Sequence, residues 1–198
     1  VVENCASGGN RLEASMMNIT DLSSFSDAHE AVEIPDIAAN LHNLMQPSKE
    51  LVWAVIHSDD DKERIVYSLC AAFLGRVCLS GDIDKLGNWQ YDILKHGFAF
   101  YQKLSDIIKF GKTTIRGNRG KSMRHPTGVQ IVLRKTEKEM LVVYHGFDDS
   151  DGEFEIDISD GYVFSDSFCA DNAQIIDEKI IIKDIQPYTS GALLLKRK

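Results

Sequence analysis

No apolar run in this sequence reaches the roughly 18 residues of a membrane-spanning helix, which excludes a helical membrane protein and leaves no membrane partner to expect. Proline is sparse, at 4 residues in 198, so a proline-rich linker or fibrous repeat is excluded as well. The 4 cysteines stand at positions 5, 70, 78 and 169. They have neither the short paired spacing of a zinc site nor the density of a disulfide framework. Cys70 and Cys78 lie in apolar runs and read as core residues in a reducing compartment, which gives a cytoplasmic expectation. Positive charge is in deficit, with 22 Lys and Arg against 30 Asp and Glu, a formal net charge of −8. That balance argues against nucleic acid and favours a neutral, polar substrate. No convergent ligand set is visible, so no metal and no cofactor is expected.

What the sequence does have is an ordinary globular composition, 43% hydrophobic and 26% charged, sufficient for a sizeable core. It begins at Val1, inside an apolar run and without an initiator Met, which gives the expectation of a piece of a longer protein. Strand-like runs ending in small polar or reactive residues recur. Val1 to Asn4 ends in Cys5, Asp21 to Phe25 in Ser26-Asp27, Leu51 to Ile56 in His57-Ser58-Asp59, and Arg76 to Leu79 in Ser80-Gly81-Asp82. Each is followed by a helical pattern: about Leu12 to Met17, Ala31 to Met45, a third opening in Asp59-Asp60-Asp61, and Trp89 to Phe110. Strand alternating with helix predicts a parallel sheet with right-handed crossovers, whose C-terminal edge carries the site.

The first of those edges is the richest. Cys5 to Arg11 sets a thiol, a hydroxyl, the glycines Gly8 and Gly9 and the Arg11 guanidinium in one loop, suited to a hydroxyl-rich ligand. A tight strand-to-helix turn with Cys5 as a small core residue is the alternative. Asp27, unaided, reads more readily as a helix cap than as a functional carboxyl.

The series Glu3-Asn4-Cys5-Ala6-Ser7-Gly8-Gly9-Asn10-Arg11, then Ser26-Asp27, Ile34-Pro35-Asp36, Leu74-Gly75-Arg76-Val77-Cys78-Leu79-Ser80-Gly81-Asp82 and Phe100-Tyr101 resembles the C-terminal part of the melibiase-type α-galactosidases, glycoside hydrolase family 36. The resemblance implies the C-terminal half of a (β/α)8 barrel over residues 1–112 and a retaining glycosidase acting on galactosides or oligosaccharides. It places the catalytic acid/base at Asp27 and substrate contacts at Cys5, Gly8, Gly9, Arg11 and, at the end of the fourth strand, Asp82. The nucleophilic Asp of the family lies on an earlier strand with no counterpart here, so the missing N-terminal part of the same protein is an expected partner. Unpaired sheet edges also raise self-association into homo-oligomers. Glu13, Ser24, Glu30 and Ile34 depart from the family pattern, which bears on the exact sugar, N-acetylgalactosamine being the alternative to galactose.

Residues 113–127 read as a connector within a basic stripe that runs from Lys109 to Arg124 and contains Lys121. From about Gly128 the period changes to short runs rich in Val, Ile, Leu and aromatics, with turn signals at Asp148 to Gly152, Ser159-Asp160-Gly161 and Asp177-Glu178. Residues 128–198 are therefore expected to form an antiparallel β-sandwich. The acidic loop at 148–152 lacks the spacing of an EF-hand and reads as a hairpin turn.

Two other classes fit parts of the sequence. Cys5 with His29 or His57 would make a cysteine hydrolase, and the whole chain would make a non-catalytic sugar-binding or structural module.

Overall fold

The computed structural model describes residues 1–5, 9–24, 26–120, 122, 124–158 and 161–198. The readings placed on Gly8, on Phe25, on Lys121 and on the Ser159-Asp160 turn lie outside the described residues.

Four strands, β1 (Glu3–Asn4), β2 (Leu22–Ser24), β3 (Glu50–Ile56) and β4 (Arg76–Gly81), form one parallel sheet in sequence order. Helices α1 (Ala14–Ile19), α2 (Ile34–Leu41) and α3 (Lys62–Ala72) make the crossovers, and α4 (Asn88–Tyr101) and α5 (Ser105–Phe110) follow β4. The alternation expected from the sequence is present. The long run 89–110 breaks into two helices at a 3-10 turn over Gln102–Leu104. Leu104, fully buried, and Ile107 and Ile108 keep the apolar side continuous across the break.

Alternation within β3 sets the two faces of this sheet. Val52, Ala54 and Ile56 are fully buried against the helices. Leu51 and Trp53 face the other way and stay half-buried, in register with Arg76 and Cys78 of β4. That second face continues through Glu3, Leu22 and Ser24, whose registers match.

The rest of the chain is antiparallel. Strands β5 (Lys112–Arg116), β6 (Val129–Lys135), β7 (Glu139–Gly146), β9 (Tyr162–Phe168) and β12 (Ser190–Arg197) form a five-stranded sheet in the order β5-β6-β7-β12-β9. Strands β8 (Phe154–Asp157), β10 (Ala173–Ile176) and β11 (Lys179–Ile182) form a three-stranded sheet in the order β10-β11-β8. Period-two alternation gives the larger sheet two apolar faces. Ile131, Leu133, Val142, Leu193 and Leu195 join Ile156, Ile180 and Ile182 of the smaller sheet in one core. Val132, Leu141, Val143, Ala192 and Leu194 join α3 and α4 in the other. The edge strand β5 begins at Lys112, ahead of the period change at Gly128, because Lys, Thr and Arg at its exposed positions hide its alternation with half-buried Thr113 and Ile115.

A buried polar knot ties the two parts together at the N-terminal end of the parallel strands. Arg134, 1% exposed, donates to the carbonyls of Ile107, Ile108 and Gly111, so it caps the C-terminus of α5. Its Nη1 donates to Thr113 Oγ1, 2.9 Å from His42 Nδ1, while His42 Nε2 lies 3.0 Å from the carbonyl of Leu74. These partners call for the neutral imidazole with its proton on Nε2. Glu50 Oε2 lies 3.3 Å from His42 Nε2. Burial lowers the pKa of His42 to about 3, with the Arg134 charge adding to the effect. Burial pushes the Glu50 carboxyl well above the carboxylate range, against the opposing pull of Arg134.

Candidate active site at the end of the parallel sheet

The C-terminal ends of β1 to β4 bring Cys5, the Ser26-Asp27 segment, His57 and Asp82 to one edge of the sheet, as expected for side chains that follow neighbouring parallel strands. Each is held differently.

At β1, Asn4 is 3% exposed and its side-chain amide donates to the carbonyl of Arg11 at 2.9 Å and to Ser23 Oγ at 3.4 Å. Ser24 Oγ donates back to the Asn4 carbonyl. This fastens both ends of the first loop to β2. Cys5 is exposed, which removes the reading of a small core residue. Arg11 is exposed and its Nη1 returns 3.4 Å to the Cys5 carbonyl, so the guanidinium closes over its own loop. Gly9 has φ +95 and open space where a side chain would point.

At β2, Asp27 is exposed and makes no cap. The turn is closed by Ser26 Oγ accepting from the Ala28 amide at 3.0 Å, and α2 starts later with Glu33 at its N-cap. His29, beyond it, sets its ring edge-on to Trp53 of β3 with centroids 4.5 Å apart. The segment bearing Asp27 is thereby drawn across the second face of the sheet.

At β3 and β4, His57 Nδ1 and Asp82 Oδ2 are 3.4 Å apart, both side chains partly exposed. Asp82 Oδ1 also meets Lys85 Nζ at 3.5 Å. The hydrogen bond from His57, then the Lys85 charge, hold the Asp82 carboxyl below the ordinary range. Gly81, at φ +100, lets the Asp82 amide reach the Ile56 carbonyl at 2.9 Å, locking the two strand ends together. Gln90, buried at the start of α4, donates towards the carbonyls of His57, Ser58 and Asp60 and accepts from the Gly87 amide. It fixes the loop that carries His57, a role the sequence did not signal. Helix α3 is capped by Asp61, whose carboxylate accepts from the Arg64 amide at 2.8 Å, and the first of the acidic trio, Asp59, is exposed.

The cysteine-hydrolase arrangement is not assembled. Among the described residues no hydrogen bond joins the Cys5 thiol to an imidazole; His29 packs on Trp53 and His57 pairs with Asp82. Among the described residues there is also no group of three or more His, Cys, Asp or Glu that could hold a metal ion. No described helix is long and apolar enough to cross a membrane.

The fold is shared with glycoside hydrolases. It resembles the GH36 α-galactosidase AgaA of Geobacillus stearothermophilus, solved as a variant in complex with 1-deoxygalactonojirimycin. The TM-score is 0.71 at 15% identity, over 98% of this chain and 28% of that one. The α-galactosidase of Lactobacillus brevis matches with a TM-score of 0.69 at 14% identity, over 96% of this chain and 28% of that one. An Anoxybacillus α-amylase matches more loosely, with a TM-score of 0.54 at 13% identity, over 93% of this chain and 54% of that one. The chain therefore spans about a quarter of the length of the α-galactosidases it resembles. No family model matches the sequence, and no curated protein matches it.

Proposed function

We propose that this chain is the C-terminal part of a retaining, α-galactosidase-like glycoside hydrolase. It supplies the acid/base and part of the sugar pocket, while an upstream segment supplies the nucleophile. In this reading residues 1–112 form half of a (β/α)8 barrel and 128–198 a β-sandwich backing domain, and 113–127 join them, their first residues already running as β5 of the larger sheet. The observation that carries the reading is Asp27: an exposed carboxyl at the C-terminal edge of a parallel sheet, free of capping duty, on a segment laid over Trp53. Retaining glycosidases set such a carboxyl about 5–5.5 Å from a second one across the sugar. The parallel sheet ends at β1 and β4 among the described residues, and strands that would bring that partner would pair at those edges.

Cys5, Gly8, Gly9 and Arg11 are assigned to the sugar hydroxyls. Asp82 is assigned to a sugar hydroxyl as well, its carboxylate held beside His57. A substrate with a terminal α-galactosyl unit is favoured by the neighbours solved with raffinose and with stachyose. The experiment is hydrolysis of a nitrophenyl α-galactoside and of raffinose by the full-length protein and its Asp27→Asn variant. Loss of the acid should cost about 10²- to 10⁴-fold on raffinose and much less on the activated aryl substrate in the first step. Equal losses on both substrates would remove Asp27 from the acid/base role, and an inactive full-length protein would leave the reading of a non-catalytic module.

A further inference from the structure

Lys112, inside the basic stripe, meets in the fold cations that lie far from it in sequence. An open cleft of about 1070 Å³ gathers it with Lys135 and Lys138 around the β6–β7 turn and with Lys196, Arg197 and Lys198 at the end of β12. These six cations face three carboxylates, Asp106, Glu137 and Glu139, in a chain whose formal net charge is −8. All six are open to solvent, Lys135 half-buried and the others exposed. Among the described residues Lys112, Lys138, Arg197 and Lys198 make no ion pair, and Lys196 stands 3.9 Å from Glu139 with its side chain 56% exposed.

The cleft has a fixed floor. Tyr162, 7% exposed, donates its hydroxyl to the Thr136 carbonyl at 2.6 Å, and Lys135 Nζ lies 5.6 Å from the centre of its ring. Thr136 Oγ1 accepts from the amides of Lys138 and Glu139, at 3.2 and 2.9 Å, and the Arg197 amide donates to the Lys138 carbonyl at 2.7 Å. The charges are thus mounted on a tied turn while their long stems reach into water. Phe110, 65% exposed, forms an apolar rim.

Opposite charge gathers at the other end of the same strand. The eight residues of β7 run roughly 25 Å from this cleft to the loop that carries Asp148, Asp149 and Asp151. All three are exposed and, among the described residues, none makes an ion pair, whereas Glu153 and Glu155 hold Lys183 and Lys179. The loop is fastened to the start of β6, the Phe147 amide donating to the Gly128 carbonyl and the Gly128 amide to that of Asp148. Gly152, at φ +120 with nothing within 4 Å of a Cβ placed on it, presents bare backbone. Held so far away, this loop cannot fill the cleft of its own molecule.

We propose that the cleft is a docking site for a second copy of this chain, which lays its acidic loop 148–152 between Lys138 and the end of β12, head to tail. The net charge repels two copies at a distance, but charges within a Debye length, about 10 Å at 0.1 M salt, decide the contact. Two basic ends repel and two acidic ends repel, so the interface joins different patches and is heterologous. Carboxylates in the lining disfavour a nucleic-acid backbone, and the concave form disfavours a membrane surface. Neither Asp27 nor the edges of the parallel sheet take part.

The test is sedimentation velocity of the full-length protein at about 0.1 M and about 0.5 M salt, with two double variants. One is Lys138→Glu with Lys198→Glu, and the other is Asp149→Asn with Asp151→Lys. The replaced side chains are exposed, and Asn accepts the left-handed backbone of position 149, where φ is 56. The wild type should gain mass with concentration, with a dissociation constant of about 0.1–1 mM at the lower salt and about tenfold weaker binding at the higher. Each variant alone should keep its starting mass. Their equimolar mixture should form a one-to-one complex and stop there, because the pair retains one intact basic cleft and one intact acidic loop. A wild type without concentration dependence, or a mixture that fails to associate, would overturn the proposal. Self-association that persists in either variant or is unchanged at high salt, as apolar sheet edges would give, would overturn it too. So would a wild type of constant mass that binds poly-glutamate or an oligonucleotide, which would make the cleft a site for a foreign acidic chain.

Discussion

His57 Nδ1 stands 3.4 Å from Asp82 Oδ2, across the ends of two adjacent parallel strands and 25 positions apart in sequence. The contact gives His57 a fixed orientation and gives Asp82 a reason to stay ionised. Replacing His57 by Ala should therefore move the Asp82 titration upward, towards the ordinary carboxylate value of 3.8. Carboxyl 13C NMR reads that shift directly. Because the folded pKa is the depressed one, the associated stability is present above the unfolded value and lost as pH falls through the folded one. An Asp82 titration unmoved by His57→Ala would mean that Lys85 alone sets it.

The buried pair His42 and Glu50 should shape the pH dependence of stability in opposite senses. Glu50, raised above its ordinary 4.5, keeps a proton in the fold that the unfolded chain releases. Its contribution is complete below 4.5 and declines as pH rises towards the folded value. His42 stays neutral down to about 3 while the unfolded chain takes up a proton near 6.5, so its contribution is present above 6.5 and is lost as pH falls towards 3. Glu50→Gln should flatten the decline on the alkaline side and cost less than about 1 kcal/mol at neutral pH, since an uncharged isostere replaces an already neutral group. Urea unfolding from acid to mildly alkaline pH measures both arms, and an unchanged alkaline slope would show that Glu50 is ionised in the fold.

Gly81→Ala should disturb the site and the stability together. A Cβ at this position would run into the Ile56 carbonyl, and φ is +100. The expected cost is about 1–3 kcal/mol, which for a chain of this size is roughly 2–4 °C of Tm per kcal/mol. The same shift should break the hydrogen bond from the Asp82 amide to the Ile56 carbonyl and loosen the His57 contact, so the upward movement of the Asp82 titration expected for His57→Ala should appear here too.

For the sugar, the full-length protein should have the larger kcat/KM on nitrophenyl α-galactoside and the smaller on its N-acetylgalactosaminide. The loop offers an exposed thiol at Cys5 and a guanidinium folded over it, both close and polar. An acetamido group needs an apolar wall instead. The reverse ranking would show that the open space beside Gly9 serves as that wall's counterpart.

The alternation of strand and helix was legible because apolar runs ending in small polar residues alternate with helical patterns, the third of which opens in the acidic trio that holds the Asp61 cap. The Asp177-Glu178 turn was legible too, and both residues take the positive φ that a tight turn demands. Helix α2 is shorter than its pattern because the chain leaves the helix at His42, whose ring is pulled inward by Thr113 and the Leu74 carbonyl. Those partners lie 71 and 32 positions away, and no local period encodes them. The same holds for Glu50 and Arg134, charged residues whose strand alternation points them into the core, and for Gln90. At the site, the sequence placed His57 and Asp82 at strand ends separately. Only the register Ile56 to Gly81 brings them into contact. Asp36, read as part of a motif, proves to be a buried carboxylate paired with Arg119 from the basic stripe.

The central strands of the five-stranded sheet are covered on both faces, one side being shared with α3 and α4 and the other with β8 and β11. It is thus a party wall. Phe168 on β9 touches Phe73 and Phe100 of the helical layer, while Leu193 and Leu195 on neighbouring β12 face the opposite core. A disturbance in either core reaches the other through the thickness of one backbone layer, and neither half can shed its covering without exposing a plane that the other half also needs. Helix α3, which packs on β3 from one side and on β7 and β12 from the other, is consequently the stud fixed between that wall and the parallel sheet.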